Sequence, residues 1–317
     1  MAILITGAGL VGTHTAQRLL DEGKQPVLYD LAPNRAYMET VLDVDRLPII
    51  RGDIRDLPHL MQVTREHQPE VIVHTAGLIG GRVEEEPYSG LQINLQGTIN
   101  VLETARVMGV RRVIFASTEG VYDRANQMDV NAKIPETSPY GYNPLYGAAK
   151  ASSELLGHAY AGTFKLDFIA LRFSALFGPG TFVGGSAAGE FMHDLITAAV
   201  EQRPLRVRPW PARREYTYAK DIAKGVVAAC FADNLKHRVY NLGPGRTYSL
   251  EEIVGAVKKI EPGADISIGG PMNEALARAL RNSGFDISRA QQDLGWAPEY
   301  DLESAFRDYA AVLRKKR

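Results

Sequence analysis

The sequence predicts an α/β protein with a doubly wound parallel sheet and a smaller C-terminal α/β part. Short apolar runs that indicate buried strands alternate with helix-length segments, and we place the strands at residues 2–6, 26–30, 47–51, 70–74 and 112–116. Polar or small residues stand at or directly after the ends of these runs, at Gly7, Asp30, Asp53, Thr75 and Thr118. Because the carboxyl ends of parallel strands meet at one edge of a sheet, these residues should line a common ligand site.

Composition excludes several classes of protein. The 317 residues allow one large domain or two modest ones, and 45% hydrophobic with 23% charged residues is ordinary for a globular chain. A net charge of −1 gives no reason to expect nucleic acid or an anionic membrane as a partner. The single cysteine, Cys230, excludes an intramolecular disulfide and a cysteine-based zinc site. No apolar run is long enough for a signal peptide or a membrane span, so we expect a cytoplasmic protein without a metal.

A glycine-rich turn follows the first strand. Gly7, Gly9 and Gly12 form G-x-G-x-x-G around Leu10 and Val11, and a helix is predicted over residues 13–20. Such glycines allow a tight turn and a close approach of backbone to a pyrophosphate, while the helix N-terminus offers free N–H groups to that anion. The simpler alternative is a glycine-rich turn without a ligand, but the strand–turn–helix context favours a dinucleotide site.

The second strand ends in an acidic residue that indicates which dinucleotide binds. Asp30 comes eighteen residues after Gly12, where a carboxylate can accept hydrogen bonds from the adenosine ribose hydroxyls. It would repel a 2′-phosphate, and the nearest arginine is Arg35, so the sequence favours NAD over NADP. Five residues at the ends of the next two strands are further candidate cofactor contacts: Asp53, Ile54, Thr75, Ala76 and Gly77. Of these, Asp53 and Ile54 would flank the adenine.

Tyr146 and Lys150 indicate acid/base chemistry. They are four residues apart in a segment, residues 143–160, that we predict to be helical, so both side chains should lie on one face. A cation one turn away favours the phenolate, which would let Tyr146 exchange a proton with a hydroxyl or carbonyl group near neutral pH. A half-buried ring beside a solvated amine is the alternative interpretation, and the Y-x-x-x-K pattern alone does not exclude it.

Taken together, the ordered motifs resemble one family over nearly the whole chain. They are TGAGLVG, GDIRD, HTAG, NLQGTINVLE, FASTEGVYD, YGAAK, LRFSALFGPG, REYTYAKDIAKG, YNLGPG and DISRAQQDLGW. This series is similar to that of the extended short-chain dehydrogenase/reductases, also called NAD-dependent epimerase/dehydratases. The resemblance implies a Rossmann-type NAD-binding domain at residues 1–173. It also implies a mostly substrate-binding domain at 174–317, with some segments returning to the sheet.

The resemblance also implies roles for individual residues. It places the catalytic hydroxyl at Thr118, with Ser117 beside it, and gives the other two catalytic roles to Tyr146 and Lys150. Lys150 would also bind the nicotinamide ribose, and Asn94 would lie near the nicotinamide end. Tyr146 as phenolate would take the proton of a substrate hydroxyl while Thr118 hydrogen-bonds the same oxygen, and hydride would pass to NAD.

Several departures from the family pattern bear on the reaction. The glycine loop is one residue shorter than T-G-x-x-G-x-x-G. Dehydratases of the family carry Asp-Glu just before V-Y, whereas this chain has Glu119-Gly120. Because glycine cannot act as a general acid, the sequence disfavours dehydration.

Departures also affect the substrate end, for which our candidates are Gly80, Ser117, Thr118, Ser174 and Arg214. Ser174 stands where nucleotide-sugar enzymes usually carry asparagine. Arg214 matches their arginine, but their later R-P-G-D motif is absent, and Arg278 or Arg281 matches it only loosely. The clamp for a diphosphate therefore looks incomplete.

Three functions are compatible with these residues. The first is an NAD-dependent dehydrogenase of a small sugar, sugar acid or polyol, and the second is a nucleotide-sugar epimerase that recycles NAD within each turnover. A non-enzymatic cofactor sensor is least favoured, because it would not need a complete catalytic set. The resemblance further implies a homodimer, formed by the predicted helices at residues 91–108 and 143–160. Leu102, Ala105, Leu155 and Leu156 are among the apolar residues of those helices.

Overall fold

A seven-stranded parallel sheet forms the centre of the molecule. The structure is a computed structural model that describes residues 1–123, 132–141, 144–180, 186–209, 213–270 and 284–315. The strands are β1 (Ala2–Thr6), β2 (Gln25–Asp30), β3 (Ile49–Arg51), β4 (Val71–His74), β5 (Arg112–Thr118), β6 (Asp167–Phe173), β7 (Ala175–Phe177), β8 (Leu205–Val207), β9 (Tyr216–Tyr218), β10 (Val239–Leu242) and β11 (Ile266–Ile268). In the main sheet they lie in the order β10-β6-β5-β4-β1-β2-β3, which confirms the predicted Rossmann-type fold class. The strand order reverses between β1 and β4, and this is where a ligand crevice is expected.

Helices cover both faces of this sheet. The α-helices of the described residues are α1 (Leu10–Asp21), α2 (Arg35–Met38), α3 (Leu57–His67), α4 (Gly81–Glu85), α5 (Pro87–Leu91), α6 (Gly97–Met108), α7 (Leu145–Phe164), α8 (Ala187–Val200), α9 (Ala219–Phe231), α10 (Leu250–Ile260), α11 (Ser288–Leu294) and α12 (Leu302–Lys315). Helices α1 and α9 pack together on one face, and α3, α6 and α7 cover the other. Alternate residues of β1 therefore enter different cores: Ile3 and Ile5 belong to one and Leu4 to the other.

A separate apolar core lies in the C-terminal half. It joins α8, α10 and α12 to two small parallel pairs, β7 with β9 and β8 with β11. Phe177, Met192 and Phe306 are fully buried in this core. Two elements of the same half belong instead to the main sheet and its cores: α9 packs on the sheet and β10 is one of its strands. The chain therefore crosses between the two parts more than once.

Arg112 at the start of β5 anchors the carboxyl end of α9 to the main sheet. Its Nη1 donates to the carbonyl oxygens of Ala229 at 2.8 Å and Ala232 at 2.7 Å, at the carboxyl end of α9, and its Nε donates to Asp167 at 2.6 Å. A cation is favourable at a helix C-terminus, and here it also satisfies carbonyls that have no partner within the helix.

The long helix predicted at residues 91–108 is continuous but not uniform. Helix α5 ends at Leu91, a π-helical turn spans Gln92–Gln96, and α6 begins at Gly97. The extra residue of a π-turn cannot be recognised from apolar periodicity, and such turns are frequent at functional sites. In the part of the chain that the structure describes, no helix has the length and apolar character needed to cross a membrane.

Candidate active site

A cavity of about 500 Å³ opens at the carboxyl ends of β1, β4, β5 and β6. Most of the residues expected from sequence to form the site line it, namely Gly7, Gly9, Leu10, Val11, Asp30, Thr75, Ala76, Gly77, Gly80, Ser117, Thr118, Tyr146, Lys150, Ser174 and Arg214. The other four predicted residues are not among the lining residues, and they are Gly12, Asp53, Ile54 and Asn94. The sheet edge therefore brings the predicted cofactor, acid/base and substrate residues into one space.

The glycine loop has the shape that a pyrophosphate needs. Gly7 has φ +93°, and a Cβ at buried Gly12 would lie 1.9 Å from the Gly7 carbonyl oxygen, so neither position accepts a side chain. A Cβ on Gly9 would meet nothing within 4 Å, and α1 starts at the next residue without a side-chain cap. Open space in front of free N–H groups fits the pyrophosphate of a dinucleotide.

Asp30 supports the glycine loop from the end of β2. Its Oδ2 accepts from the Ala8 N–H at 2.8 Å, and its Oδ1 accepts from the Ala32 N–H at 2.8 Å. The carboxylate also lines the cavity, where it can accept from ribose hydroxyls. The residues present therefore fit a dinucleotide without a 2′-phosphate.

The two residues expected beside the adenine make contacts within the protein. Asp53 pairs with Arg55 at 2.6 Å, and the hydrogen bonds from Arg55 hold the pKa of that carboxyl below its usual value. The Ile54 side chain is buried against Gly97, where a Cβ would lie 2.8 Å from it. A role for either residue in adenine binding stays a prediction.

Small residues after β4 allow two backbone segments to meet. A Cβ on Gly7 would lie 2.7 Å from the Ala76 nitrogen, and Thr75 Oγ1 donates to the Gly7 carbonyl oxygen at 3.0 Å. Asn94, in the π-turn, accepts from the Leu78 N–H at 2.9 Å and donates to the Leu78 carbonyl at 3.0 Å. Asn94 thus supports the loop after β4 rather than lining the cavity, and its place near the nicotinamide stays a prediction.

Lys150 is a buried cation that lines the cavity. Its Nζ donates to the Ala116 carbonyl oxygen at 2.8 Å and lies 4.6 Å from the centre of the Phe115 ring. Burial lowers the pKa of Lys150 to about 8, and the Glu154 carboxylate one turn further along α7 opposes this shift. The ammonium is therefore poised to lose or keep its proton close to neutral pH.

Tyr146 lies in the first turn of α7, one turn before Lys150. Its side chain lines the same cavity as Thr118 and Lys150, so the structure brings together the hydroxyl, phenol and ammonium predicted from sequence. We expected the neighbouring cation to lower the pKa of Tyr146, but burial raises this pKa to about 12, and Thr118 opposes the rise only in part. In the protein alone the phenol is thus neutral, because removal from water is the largest influence on its pKa.

Two buried charges next to these residues were missed from sequence. Glu154 Oε2 pairs with Arg172 Nη2 at 2.6 Å, and both side chains are almost fully buried. Ser117 Oγ donates to Glu154 and Tyr140 donates to it at 2.9 Å, so the Ser117 hydroxyl is held by protein. Two features of the sequence could have indicated this ion pair: a glutamate four residues after Lys150, and an arginine within an apolar strand.

The substrate end contains a hydroxyl pair and two arginines. Ser174 Oγ lies 2.5 Å from Thr217 Oγ1, and Arg214 lines the cavity, where its charge opposes the rise that burial causes in the pKa of Tyr216. Arg82 also lines the cavity, although the sequence analysis did not select it. Arg278 and Arg281 lie outside the described residues. Among the described residues, no group of three His, Cys, Asp or Glu side chains could hold a metal ion.

Residues 3–243 match the model of the NAD dependent epimerase/dehydratase family. This chain belongs to that family. It is accordingly an NAD-dependent enzyme of the extended short-chain dehydrogenase/reductase type, which confirms the family and the cofactor expected from sequence.

Relatives and solved structures support this membership over the full length. A UDP-glucose 4-epimerase from Erwinia amylovora is 29% identical, with 97% of this chain and 96% of that protein covered. The solved UDP-glucose 4-epimerase of Thermus thermophilus, in complex with NAD, is 25% identical with a TM-score of 0.84 over 99% of both chains. An L-threonine dehydrogenase from Cupriavidus necator has the same fold, with a TM-score of 0.85 at 23% identity over 99% of this chain and 100% of that one.

Proposed function

We propose that this enzyme transfers hydride between NAD and a hydroxyl-bearing or keto carbon of a small sugar-like substrate, such as a sugar, sugar acid or polyol. The observation that supports this is that Thr118, Tyr146 and the buried Lys150 line one ligand cavity together. A hydroxyl donor, a phenol and a cation at one point can exchange a proton with a substrate oxygen. NAD bound at the glycine loop would supply the hydride acceptor.

Each of the three side chains would have a separate role. Tyr146 would move the proton of the substrate oxygen, and Thr118 would orient that oxygen through a hydrogen bond. Lys150 would hold the nicotinamide ribose hydroxyls and favour the phenolate by its charge. Because burial raises the pKa of Tyr146 to about 12 in the protein alone, the phenolate would form only when further positive charge enters the cavity. The cationic nicotinamide ring of the oxidised cofactor carries such a charge.

We assign the cofactor to the glycine loop, to Asp30 and to the loop after β4, within a domain of residues 1–173. The ribose-binding carboxylate of Asp30 is the basis for proposing NAD rather than NADP. Residues 174–317 would mostly form the substrate domain, with Ser174 and Arg214 facing the substrate beside Gly80. The separate apolar core of the C-terminal half supports this division.

A nucleotide-sugar epimerase is the second candidate. Several of the similar proteins are named UDP-glucose 4-epimerases, and Arg214 lies in the cavity where an anionic group could bind. Ser174 in place of asparagine, and the absence of R-P-G-D from the sequence, favour the dehydrogenase. The same catalytic residues would serve either reaction.

Incubation with NAD and a panel of sugars, sugar acids, polyols and nucleotide sugars distinguishes the two. Net NADH accumulation indicates a dehydrogenase, and product formation without NADH indicates an epimerase. Tyr146→Phe should lower turnover by ~10²-fold or more and leave NAD affinity, measured by calorimetry, nearly unchanged. Near-native turnover of Tyr146→Phe would refute the assigned acid/base, and no turnover with any panel member would refute the substrate class.

We also propose a homodimer that pairs through α6 and α7. Leu102 and Ala105 are fully buried in the chain's own core, so they are not free to pair. Leu155 on α7 and Val107 on α6 are among the exposed apolar side chains of these helices, at 57% and 48% exposure. A stable pair would bury ~1,200–2,000 Å² in total around them. A cytoplasmic location stays a prediction from the sequence.

A further inference from the structure

The helix that carries Tyr146 begins without a cap of its own. Its N-cap residue is Pro144, which has no side-chain acceptor, and the first hydrogen bond within the helix runs from the Ala148 N–H to the Pro144 carbonyl at 3.0 Å. The N–H groups before Ala148, including that of Tyr146, have no partner within the helix. A helix with such an end frays in its first turn, and here this turn holds the acid/base residue.

A carboxylate from a distant segment supplies the missing cap. Glu84 Oε1 accepts from the Tyr146 backbone N–H at 3.1 Å, although the two residues are 62 apart in sequence. Glu84 lies in α4, and an N-terminal carboxylate also interacts favourably with the dipole of α7. The contact replaces the bond that Ser, Thr, Asp or Asn would make at the N-cap position.

Helix α4 is built to present this carboxylate. Successive residues of a helix point about 100° apart, so Arg82, Val83 and Glu84 lie on three different faces. Val83 is fully buried against Gly90, where a Cβ would lie 3.0 Å from it. With that anchor beneath the helix, Arg82 lines the ligand cavity and Glu84 reaches the first turn of α7.

We propose that Glu84 is a positioning residue, which holds the first turn of α7 so that the Tyr146 phenol stays within hydrogen-bonding distance of Thr118 and of the substrate oxygen. The inference depends on the proposed function, because it gives Glu84 a role only if Tyr146 carries the proton. Displacement of a reacting group by about 1 Å can lower a rate ~10²-fold, so a small loss of order in this turn has a measurable effect on turnover. Since α4 also forms the rim of the cavity, the rim and the acid/base residue are held as one unit.

Three variants of the full-length protein test this role. Glu84→Ala removes the acceptor, Glu84→Gln keeps an acceptor oxygen without the charge, and Glu85→Ala removes the exposed neighbouring carboxylate as a matched control. Amide hydrogen exchange of Tyr146 reports the cap without any substrate. Exchange should accelerate ~2- to 30-fold in Glu84→Ala, the range expected for a lost helix cap, and less in Glu84→Gln.

Kinetics then separate positioning from stability alone. We expect kcat to fall at least ~10-fold in Glu84→Ala and to be largely restored in Glu84→Gln. The KM for NAD should stay unchanged in both variants. Glu85→Ala should have the kcat and KM of the unsubstituted enzyme. Unchanged exchange at Tyr146 in Glu84→Ala, or faster exchange with unchanged kcat, would overturn the proposal. Tyr146→Phe measured in parallel distinguishes the two failures, because its full activity would refute the proposed function while the exchange data still report the cap.

Discussion

Replacement of Lys150 by methionine should change how the stability of the protein depends on pH. Lys150 lies on α7 with its side chain buried, and this burial lowers the pKa of its ammonium from 10.5 to about 8. Methionine fills a similar volume and has no charge, so the variant Lys150→Met removes the titrating group and keeps most of the packing. It should also abolish turnover, because the ammonium is part of the proposed acid/base set.

The sign and size of the effect follow from the two pKa values. Below about pH 8 Lys150 is protonated in both the folded and the unfolded state, so burial of its charge destabilises the folded state to the full extent. Between pH 8 and pH 10.5 the unfolded state binds more protons, so the stability of the unsubstituted protein rises with pH. At about 1.4 kcal/mol per pH unit, the rise over this window is ~3 kcal/mol. The variant lacks this contribution.

Urea unfolding of both proteins at a series of pH values from 7 to 10 measures the effect. The difference between their free energies of unfolding cancels the titration of all other groups. Between pH 7 and pH 10, the free energy of unfolding of the unsubstituted protein should rise by about 2 kcal/mol relative to that of the variant. Lys165→Met, which removes an exposed lysine at the end of the same helix, is the matched control. If the two stability curves stay parallel between pH 8 and pH 10, Lys150 does not carry a buried charge and the reasoning is wrong.

Three further substitutions test other parts of the site. Asp30→Ala should narrow the preference for NAD over NADP, measured by cofactor fluorescence titration, and equal affinities of the unsubstituted enzyme for both would refute the role of Asp30. Gly12→Ala should abolish NAD binding in calorimetry, because its Cβ would lie 1.9 Å from the Gly7 carbonyl oxygen. Leu155→Arg should convert the proposed dimer to a monomer in light scattering, and a dimer that persists would place the interface elsewhere.

The fold and the core of the site were predictable because their signals are local. The strand–glycine–helix pattern at Gly7 to Gly12 and the spacing of Tyr146 and Lys150 are each contained in a few residues. Parallel strands then bring these segments to one edge of the sheet, whatever the remaining packing is. Element boundaries were less accurate, as in β5, which continues to Thr118 rather than ending at Ala116.

Contacts between distant segments could not be predicted in the same way. In the sequence Glu84 is one of three consecutive acidic residues, followed by Glu85 and Glu86, and only the docking of α4 on α7 shows that it caps a helix. Glu154 was visible as part of a helix but not as the partner of Arg172 in β6. The pKa of Tyr146 was expected to fall, since spacing reveals a neighbouring charge but not the loss of water around the ring.

The late position of β10 in the sequence has a consequence during synthesis. Strand β6 ends at Phe173, and its partner β10 begins at Val239. At ~5–20 residues per second, the ribosome needs roughly 3–13 s to make the intervening segment. If the earlier strands have paired by then, β6 would be an edge strand without β10, and its largely apolar sequence, DFIALRF, would favour pairing with other nascent chains. Translation speed between these strands should therefore govern the yield of native protein, and chaperones that bind extended apolar segments should act in this window.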